Sequence, residues 1–310
     1  MMRIIDLKTK SQVYSLSYPT VLCIGDFDGV HLGHRQLVYS VIDKYMDLKN
    51  SFENLSTGTW FFDNNPFKTD DEIFSIDEKL DTFASLGLDY AIVVDFNEVC
   101  NLSPKAFVDD ILVKKCNSIH AVCGENFRFG AKAAGSSSDL MNLMNGNATV
   151  VPLLSEGSDN TVVSSTYIRS LLINGDIEKA NCLLGSNYSI DEEVVHGKAL
   201  GRTIGIPTIN QNVTAKKLIL KNGIYATLCH FDGKKYMGVT NIGVRPTVED
   251  SNHKNVETYI IDFNGDCYGK SIKVEFISRI RDEMKFDSIE ALKNQILKDI
   301  EETKRIFYNM

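Results

Sequence analysis

The sequence predicts an α/β protein in two parts. A doubly wound parallel-sheet domain occupies residues 1–186, and an antiparallel sheet or small antiparallel β-barrel with a terminal helix occupies residues 187–310. Three observations predict this. Short apolar runs alternate with helical patterns up to about Gly185, the grammar of strand–helix crossovers. From Lys221 to Ile280 the chain turns to β-branched and aromatic residues broken by tight-turn signals, the grammar of an antiparallel sheet. A length of 310 residues suits two domains.

Each element has a local reason. Val21–Gly25 is a short apolar run and reads as a buried strand. From Gly33, residues Leu37, Val38, Val41, Ile42, Tyr45 and Met46 recur at helical spacing. Ala91–Val94 is a second buried strand. Ser103 and Pro104 supply an N-cap and a proline at the first helical position, for a helix carrying Phe107, Ile111 and Leu112. Ile119–Cys123 and Thr149–Leu154 read as strands, with a helix near Ser138–Met144 between them. Ser164–Ile173 and Ile177–Leu184 read as helices, and Ser186–Asp191 as the linker. In the second part, Phe231-Asp-Gly-Lys-Lys235 and Asn264-Gly-Asp266 mark turns. Asp287-Ser-Ile-Glu290 starts a last helix with Ile289, Leu292, Ile296, Leu297 and Ile300 on one face.

Composition narrows the function classes. Hydrophobic residues make up 43% and charged residues 24%, ordinary for a globular protein. No apolar run approaches the ~20 residues that span a bilayer, and the N-terminus lacks a signal-peptide core. The seven cysteines are scattered without a C-x-x-C pair, which suits free thiols in a reducing compartment. A cytoplasmic protein with no membrane partner is expected. The net charge of −8 argues against a nucleic-acid partner. Residues 187–310 hold 18 Lys+Arg against 17 Asp+Glu, net +1, leaving 15 against 24 and net −9 for residues 1–186.

Gly25-Asp-Phe-Asp-Gly-Val-His-Leu-Gly-His34 joins the first strand to the first helix. Ligands bind such folds at the C-terminal ends of the strands. Gly25, Gly29 and Gly33 allow tight turning and close backbone approach, and a helix N-terminus suits phosphate. His31 and His34, three apart, can face one way from the first turn and donate to phosphate oxygens. Ser164, Ser165 and Thr166 can cap a helix or supply hydroxyls to a triphosphate, and Arg169, one turn on, can fork onto phosphate.

The ten-residue string matches the G-x-F-D-G-x-H-x-G-H form of the HxGH nucleotidyltransferases. Cys123-Gly-Glu-Asn-Phe-Arg-Phe-Gly130, Val163-Ser-Ser-Thr-Tyr-Ile-Arg169 and Leu102-Ser-Pro-Lys-Ala-Phe107 resemble three segments of the bacterial bifunctional riboflavin kinase/FMN adenylyltransferases. That resemblance implies a Rossmann-like nucleotidyltransferase domain. It gives His31 and His34 catalytic roles, and places Gly25, Phe27, Gly33, Asn126, Ser164, Ser165, Thr166 and Arg169 around nucleotide or phosphate. One segment departs from the family: Phe61-Phe-Asp-Asn-Asn-Pro66 carries Asn65 where a His is usual. Asn65 can hydrogen-bond but cannot carry charge.

Val194–Asn210 places Gly197, Gly201 and Gly205 four apart before Pro207-Thr-Ile-Asn210. It is neither a Walker A loop nor a dinucleotide fingerprint. Gly265–Ser271 is one residue short of a P-loop and precedes a strand pattern, so it reads as a β-turn. The glycine string resembles the riboflavin kinase signature G-x-x-x-G-R-x-x-G-x-P-T-A-N. The resemblance puts Gly201, Arg202 and Gly205 at the nucleotide, and Thr208 and Asn210 beside a Mg²⁺ or another divalent cation. Their hard oxygens suit that ion. Gly238–Val248 and Glu257-Thr-Tyr-Ile-Ile-Asp-Phe263 resemble further kinase segments, which implies Glu257 as catalytic base; Tyr259 stands where a His is usual. Ile280–Phe286 resembles a segment near the flavin and offers Arg281 as a flavin or phosphate contact.

The resemblance implies a bifunctional enzyme with riboflavin, FMN and ATP as small-molecule substrates. Riboflavin is phosphorylated to FMN with ATP, and FMN is adenylylated to FAD with release of pyrophosphate. Two rivals stay open: a single-activity paralogue, raised by Asn65 and Tyr259, and a non-catalytic flavin- or nucleotide-binding regulator. The full set of His31, His34, Arg169, Thr208, Asn210 and Glu257 counts against the regulator.

Overall fold

The computed structural model describes residues 2–6, 15–64, 71–197, 201, 204–213, 216–244 and 254–310. The chain divides into two compact units, Met1–Ser165 and Thr166–Met310.

The first unit is a parallel sheet of β1 (Arg3–Asp6), β2 (Thr20–Ile24), β3 (Ser56–Asn64), β4 (Tyr90–Asp95), β5 (Ser118–Gly124) and β6 (Ala148–Val151), in the order β1-β4-β3-β2-β5-β6. Every neighbouring pair is parallel. β2 is buried at all five positions, as a central strand covered on both faces must be, and hence reads as a continuous apolar run. From β2 the chain winds through β3 to β4, then returns to place β5 on the other side of β2. This reversal makes the C-terminal end of β2 the topological switch point. Leu37, Val38 and Val41 bury one stripe of α1 (Leu32–Leu48). α2 (Ile76–Ser85) opens on a capping box: Ser75 Oγ accepts from the Glu78 amide, and Glu78 accepts from the Ser75 amide. Ser103 caps the turn at Pro104–Ala106, which runs into a π-helical stretch over Phe107–Lys115. α3 (Ser137–Leu143) leads to β6.

The second unit contains α4 (Ser165–Asn174, its first residue at the division), α5 (Ile177–Leu184), a barrel and α6 (Ile289–Tyr308). The barrel is closed and antiparallel. Its strands are β7 (Ser189–Val195), β8 (Ile209–Asn212), β9 (Gly223–Phe231), β10 (Lys234–Val244), β11 (Lys254–Ile260) and β12 (Ser271–Arg281), ordered β7-β8-β11-β10-β9-β12. The turn between β9 and β10 places Asp232 (φ 48°) and Gly233 (φ 73°) in left-handed backbone, as the Asp-Gly pair led one to expect. Inside the barrel, buried Thr227, Thr240 and Thr258 satisfy one another through hydroxyl bonds of 2.8 and 2.9 Å.

One expectation changes here. The linker proposed at Ser186–Asp191 is mostly structured: Tyr188 is fully buried with its hydroxyl on the Leu218 carbonyl, and Ser189 already begins β7. The two compact units meet at Ser165 and Thr166, at the start of α4. α5 is tied to β12, with Asn181 Nδ2 donating to the Phe276 carbonyl (2.8 Å) and accepting the Tyr188 amide at Oδ1 (2.8 Å). Gly185, left-handed at φ 67°, ends α5.

α6 buries Asp299, Ile300 and Thr303, whereas Ile289 and Leu297 of its apolar face are 61% and 46% exposed. Its cap is Ser288, which accepts from the Ala291 amide at 3.1 Å. Arg281 anchors the helix. Its Nε and one terminal nitrogen fork onto Asp299 at 2.9 and 2.7 Å, and the other donates to the Asp282 carbonyl. Asp299→Ala is expected to cost about 3 kcal/mol by stranding the Arg281 charge. A thermal melt showing a loss below ~1 kcal/mol would remove the ion pair as the anchor.

Candidate active sites

The first site grows from the end of β2. Phe27 adopts left-handed backbone (φ 54°, ψ 32°) and is fully buried. Gly29 (φ 79°) and Val30 (φ 37°) continue the turn. Positive φ at β-branched Val30 is a strained state that surroundings must impose. They do so at several points. Asp28 Oδ1 accepts the amides of Ile73 (2.9 Å) and Phe74 (3.4 Å), and Ser165 Oγ donates to the Asp28 carbonyl (2.9 Å). Arg35 Nε donates to the Val30 carbonyl at 3.2 Å.

This turn delivers His31 as the N-cap of α1, its Nδ1 accepting the His34 amide at 3.4 Å. The hydrogen of a neutral His31 ring therefore sits on Nε2. The two imidazoles stack at 3.7 Å with planes 20° apart, and Phe27 meets His34 edge-on at 5.2 Å. A Cβ at Gly33 would press on the His31 ring at 3.2 Å, and one at Gly25 on the Phe27 ring at 3.1 Å. Both glycines are thus the space the aromatic group needs. Burial pushes the His31 pKa down to about 4 against the opposing pull of Asp28.

Gly25, Phe27, His31, Gly33, His34 and Ser165 come together at the switch point. Asn126 stands exposed two residues past the end of β5, beside β2 in the sheet. Leu102–Phe107 and Arg128–Gly130 prove to be packing partners: the Ala131 amide donates to the Leu102 carbonyl at 2.7 Å, and Gly130 (φ 73°) lies against Pro104. Ser164 directly precedes α4, and Thr166 and Arg169 lie in its first turns within the second unit, Arg169 buried at 8% exposure. Asn65 lies outside the described residues.

The second site lies on three neighbouring barrel strands. Glu257 on β11 stands opposite Asn210 on β8 and opposite Asn241 on β10. Asn210 is buried, Glu257 half-buried, and Thr208 immediately precedes β8. Asn255 Nδ2 lies between them, 2.6 Å from Glu257 Oε1 and 3.2 Å from Asn210 Oδ1. A Cβ at Gly197 would overlap the Asn210 side chain, and one at Gly201 the Ile206 carbonyl. Gly201 accepts the Ile206 amide at 2.8 Å, and Gly205 (φ 79°) permits that turn. Arg202 lies outside the described residues.

A cleft beside Thr208 is lined by Val194, Pro207, Ile260, Phe263, Asp266 and Tyr268, among others. Tyr268 stacks on His196 at 3.9 Å. Gly265–Ser271 is a turn leading into β12, closed by the Lys270 amide on the Cys267 carbonyl. Tyr259 is partly buried against a small apolar cluster that includes Ile224, Val239, Ile261 and Ile300 of α6. Arg281, read from sequence as a flavin or phosphate contact, spends its fork on Asp299. The sequence reading missed Asp28 and Asn255. Asp28 bonds to residues 45 and more positions away, and Asn255 joins its near neighbour Glu257 to the distant Asn210, links that no local pattern marks.

Among the described residues no group of three or more His, Cys, Asp or Glu is placed to hold a metal, and no helix is long and apolar enough to cross a membrane. The oxygens of Thr208 and Asn210 are instead the donor type for a hard cation that shares phosphate and water.

Two family models match the chain: one described as FAD synthetase over residues 14–167, the other as riboflavin kinase over residues 184–307. A bifunctional riboflavin kinase/FMN adenylyltransferase of Bacillus subtilis (strain 168) is 36% identical over 303 residues, covering 94% of this chain and 93% of the relative. The protein of that description from Escherichia coli (strain K12) is 35% identical over 304 residues, covering 94% and 93%. A crystal structure described as a macrolide-efflux protein from Streptococcus pneumoniae matches with a TM-score of 0.86 and 28% identity, over 97% of this chain and 98% of that one.

Proposed function

The chain belongs to the bacterial bifunctional riboflavin kinase/FMN adenylyltransferase family, and from that premise we propose how its residues divide the work. The enzyme phosphorylates riboflavin to FMN with ATP, and adenylylates FMN to FAD with release of pyrophosphate. We assign the second reaction to residues 1–186 and the first to residues 187–310, in the cytoplasm. The observation that carries this reading is the pair of phosphate-competent sites, a His-capped helix at a switch point and a Glu–Asn cluster on a barrel.

At the first site the FMN phosphate attacks the α-phosphorus of ATP, and pyrophosphate leaves. His31 Nε2–H and the His34 ring donate to phosphate oxygens as charge develops, from a backbone held rigid before substrate arrives. The α1 N-terminus and Asn126 add donors. Ser164, Ser165, Thr166 and Arg169 bind the nucleotide phosphates.

At the second site Glu257 accepts the proton of the ribityl 5′-hydroxyl as it attacks the γ-phosphorus. The cleft beside Thr208 takes the nucleotide, and Gly201, Arg202 and Gly205 are assigned to nucleotide binding. Thr208 and Asn210 would hold Mg²⁺, because a hydroxyl and an amide oxygen are the hard donors such a cation takes beside phosphate and water. A cation held by these residues would supply neutralisation of charge on the phosphate oxygens.

The test is to incubate the protein with riboflavin, ATP and Mg²⁺ and resolve the flavins by chromatography. FAD should accumulate through FMN. FMN as the final product would leave only a kinase, and FAD formed only from supplied FMN would leave only an adenylyltransferase. Gly197→Ala should displace Asn210 and cut FMN formation at least tenfold, in the range seen when groups supporting a metal ligand are lost. Wild-type rates of FMN formation in that variant would show that Asn210 needs no room at Gly197.

A further inference from the structure

We propose that Asn255 is a positioning residue for riboflavin phosphorylation: it holds the carboxylate of Glu257 and couples it to Asn210. The inference rests on Glu257 acting as the base.

Asn255 and Glu257 are two apart on β11 and share a strand face. Asn255 is 6% exposed and places Nδ2 2.6 Å from Glu257 Oε1 and 3.2 Å from Asn210 Oδ1. Carboxylate and amide oxygens only accept, so the atom between them must be the amide nitrogen. Its two hydrogens serve one neighbour each. The orientation of Asn255 is thereby fixed by both partners, and through it theirs by each other. A bond to an ionised carboxylate is stronger than a neutral one. Asn255 therefore holds Oε1 in place and turns Oε2 over to the attacking hydroxyl.

This arrangement has a cost that packing alone does not explain. Asn255 Oδ1 is buried and has no hydrogen-bond partner among the described residues, as is Asn241 Oδ1 on the strand across from Glu257. Orphaned buried acceptors are rare and destabilising. A residue serving only the fold would be better replaced by an apolar one of its size. Keeping the amide makes sense where its donor is needed at Glu257.

The test is a double-mutant cycle on the full chain, measuring riboflavin-to-FMN rates for wild type, Asn255→Ala, Glu257→Gln and the double variant. Asn255→Ala should lower kcat by about 10–100-fold, the range for groups that orient a functional residue, with riboflavin KM within about twofold. Asn255→Asp keeps the shape but loses the donor, so it should fall as far. It also serves if the alanine variant folds poorly, with FMN-to-FAD turnover in each preparation as the control for folding. In the Glu257→Gln background the Asn255→Ala loss should vanish, because the group it acts through no longer takes a proton. Losses that multiply in the double variant, a loss confined to KM, or a kcat within twofold of wild type would each overturn the inference. A Glu257→Gln variant with wild-type kcat is a separate result: it would remove Glu257 as the base, and this inference with it.

Discussion

Glu257→Gln is expected to lower riboflavin phosphorylation by about 10²–10⁴-fold, the usual contribution of a positioned general base. Glutamine keeps the side-chain length and can still accept from Asn255 through its amide oxygen, so the barrel should fold unchanged. What it loses is the ability to take the hydroxyl proton. The loss should therefore fall on kcat and kcat/KM together, with riboflavin KM nearly constant, because the interaction forms only as the proton moves. Adenylylation of supplied FMN should continue at the wild-type rate, since its residues lie outside the barrel strands that carry Glu257. Initial rates with riboflavin and with FMN as the flavin check both halves. A kcat within a few-fold of wild type would take the base role from Glu257. Loss of both activities in a folded protein would undo the division of labour.

The two sites differ in how much of them the sequence carried. The first was legible because its geometry is local: one buried strand, three glycines and two histidines lie within fourteen residues, and the chain's own turn stacks the rings. The β9–β10 hairpin was legible for the same reason, through Asp232-Gly233. What sequence could not supply was register. Asn210 and Glu257 face each other because β8 and β11 pair, and Asn255 matters because that pairing puts its amide between them. Arg281 shows the converse. A matching motif suggested a ligand contact, and only the packing of α6 reveals Asp299 as its bidentate partner. On α6, helical spacing groups Ile289 and Leu297 with Ile300 but does not say that only Ile300 of the three is buried. α4 and α5 followed helical grammar correctly, yet their membership of the second unit depends on bonds such as Asn181 to Phe276, which span most of that unit.

His31→Asn should lower adenylyl transfer to FMN by about 10²–10³-fold, the cost of removing one preorganised donor to developing charge, while riboflavin phosphorylation persists. The same substitution has a second readout, in stability. In the folded, ligand-free protein burial brings the His31 pKa down to about 4, from an ordinary value of 6.5. Between those values the unfolded chain binds the proton more readily than the folded one, so stability rises with pH. The contribution is complete above pH 6.5 and drains away as pH falls toward 4, amounting to about 3 kcal/mol. Asparagine can cap α1 but does not titrate. The wild type should therefore lose more stability than His31→Asn between pH 7 and pH 4, with the difference growing across that window. His120, also lowered to about 4 by burial and by the nearby Lys44 charge, is present in both proteins and cancels from the comparison. Denaturant unfolding at a series of pH values measures this. Parallel stability curves would mean that His31 is not held neutral by burial. The reading of Nε2–H as an uncharged donor would then give way to an imidazolium at the phosphate, and adenylyl transfer would decline as pH rises through the His31 pKa.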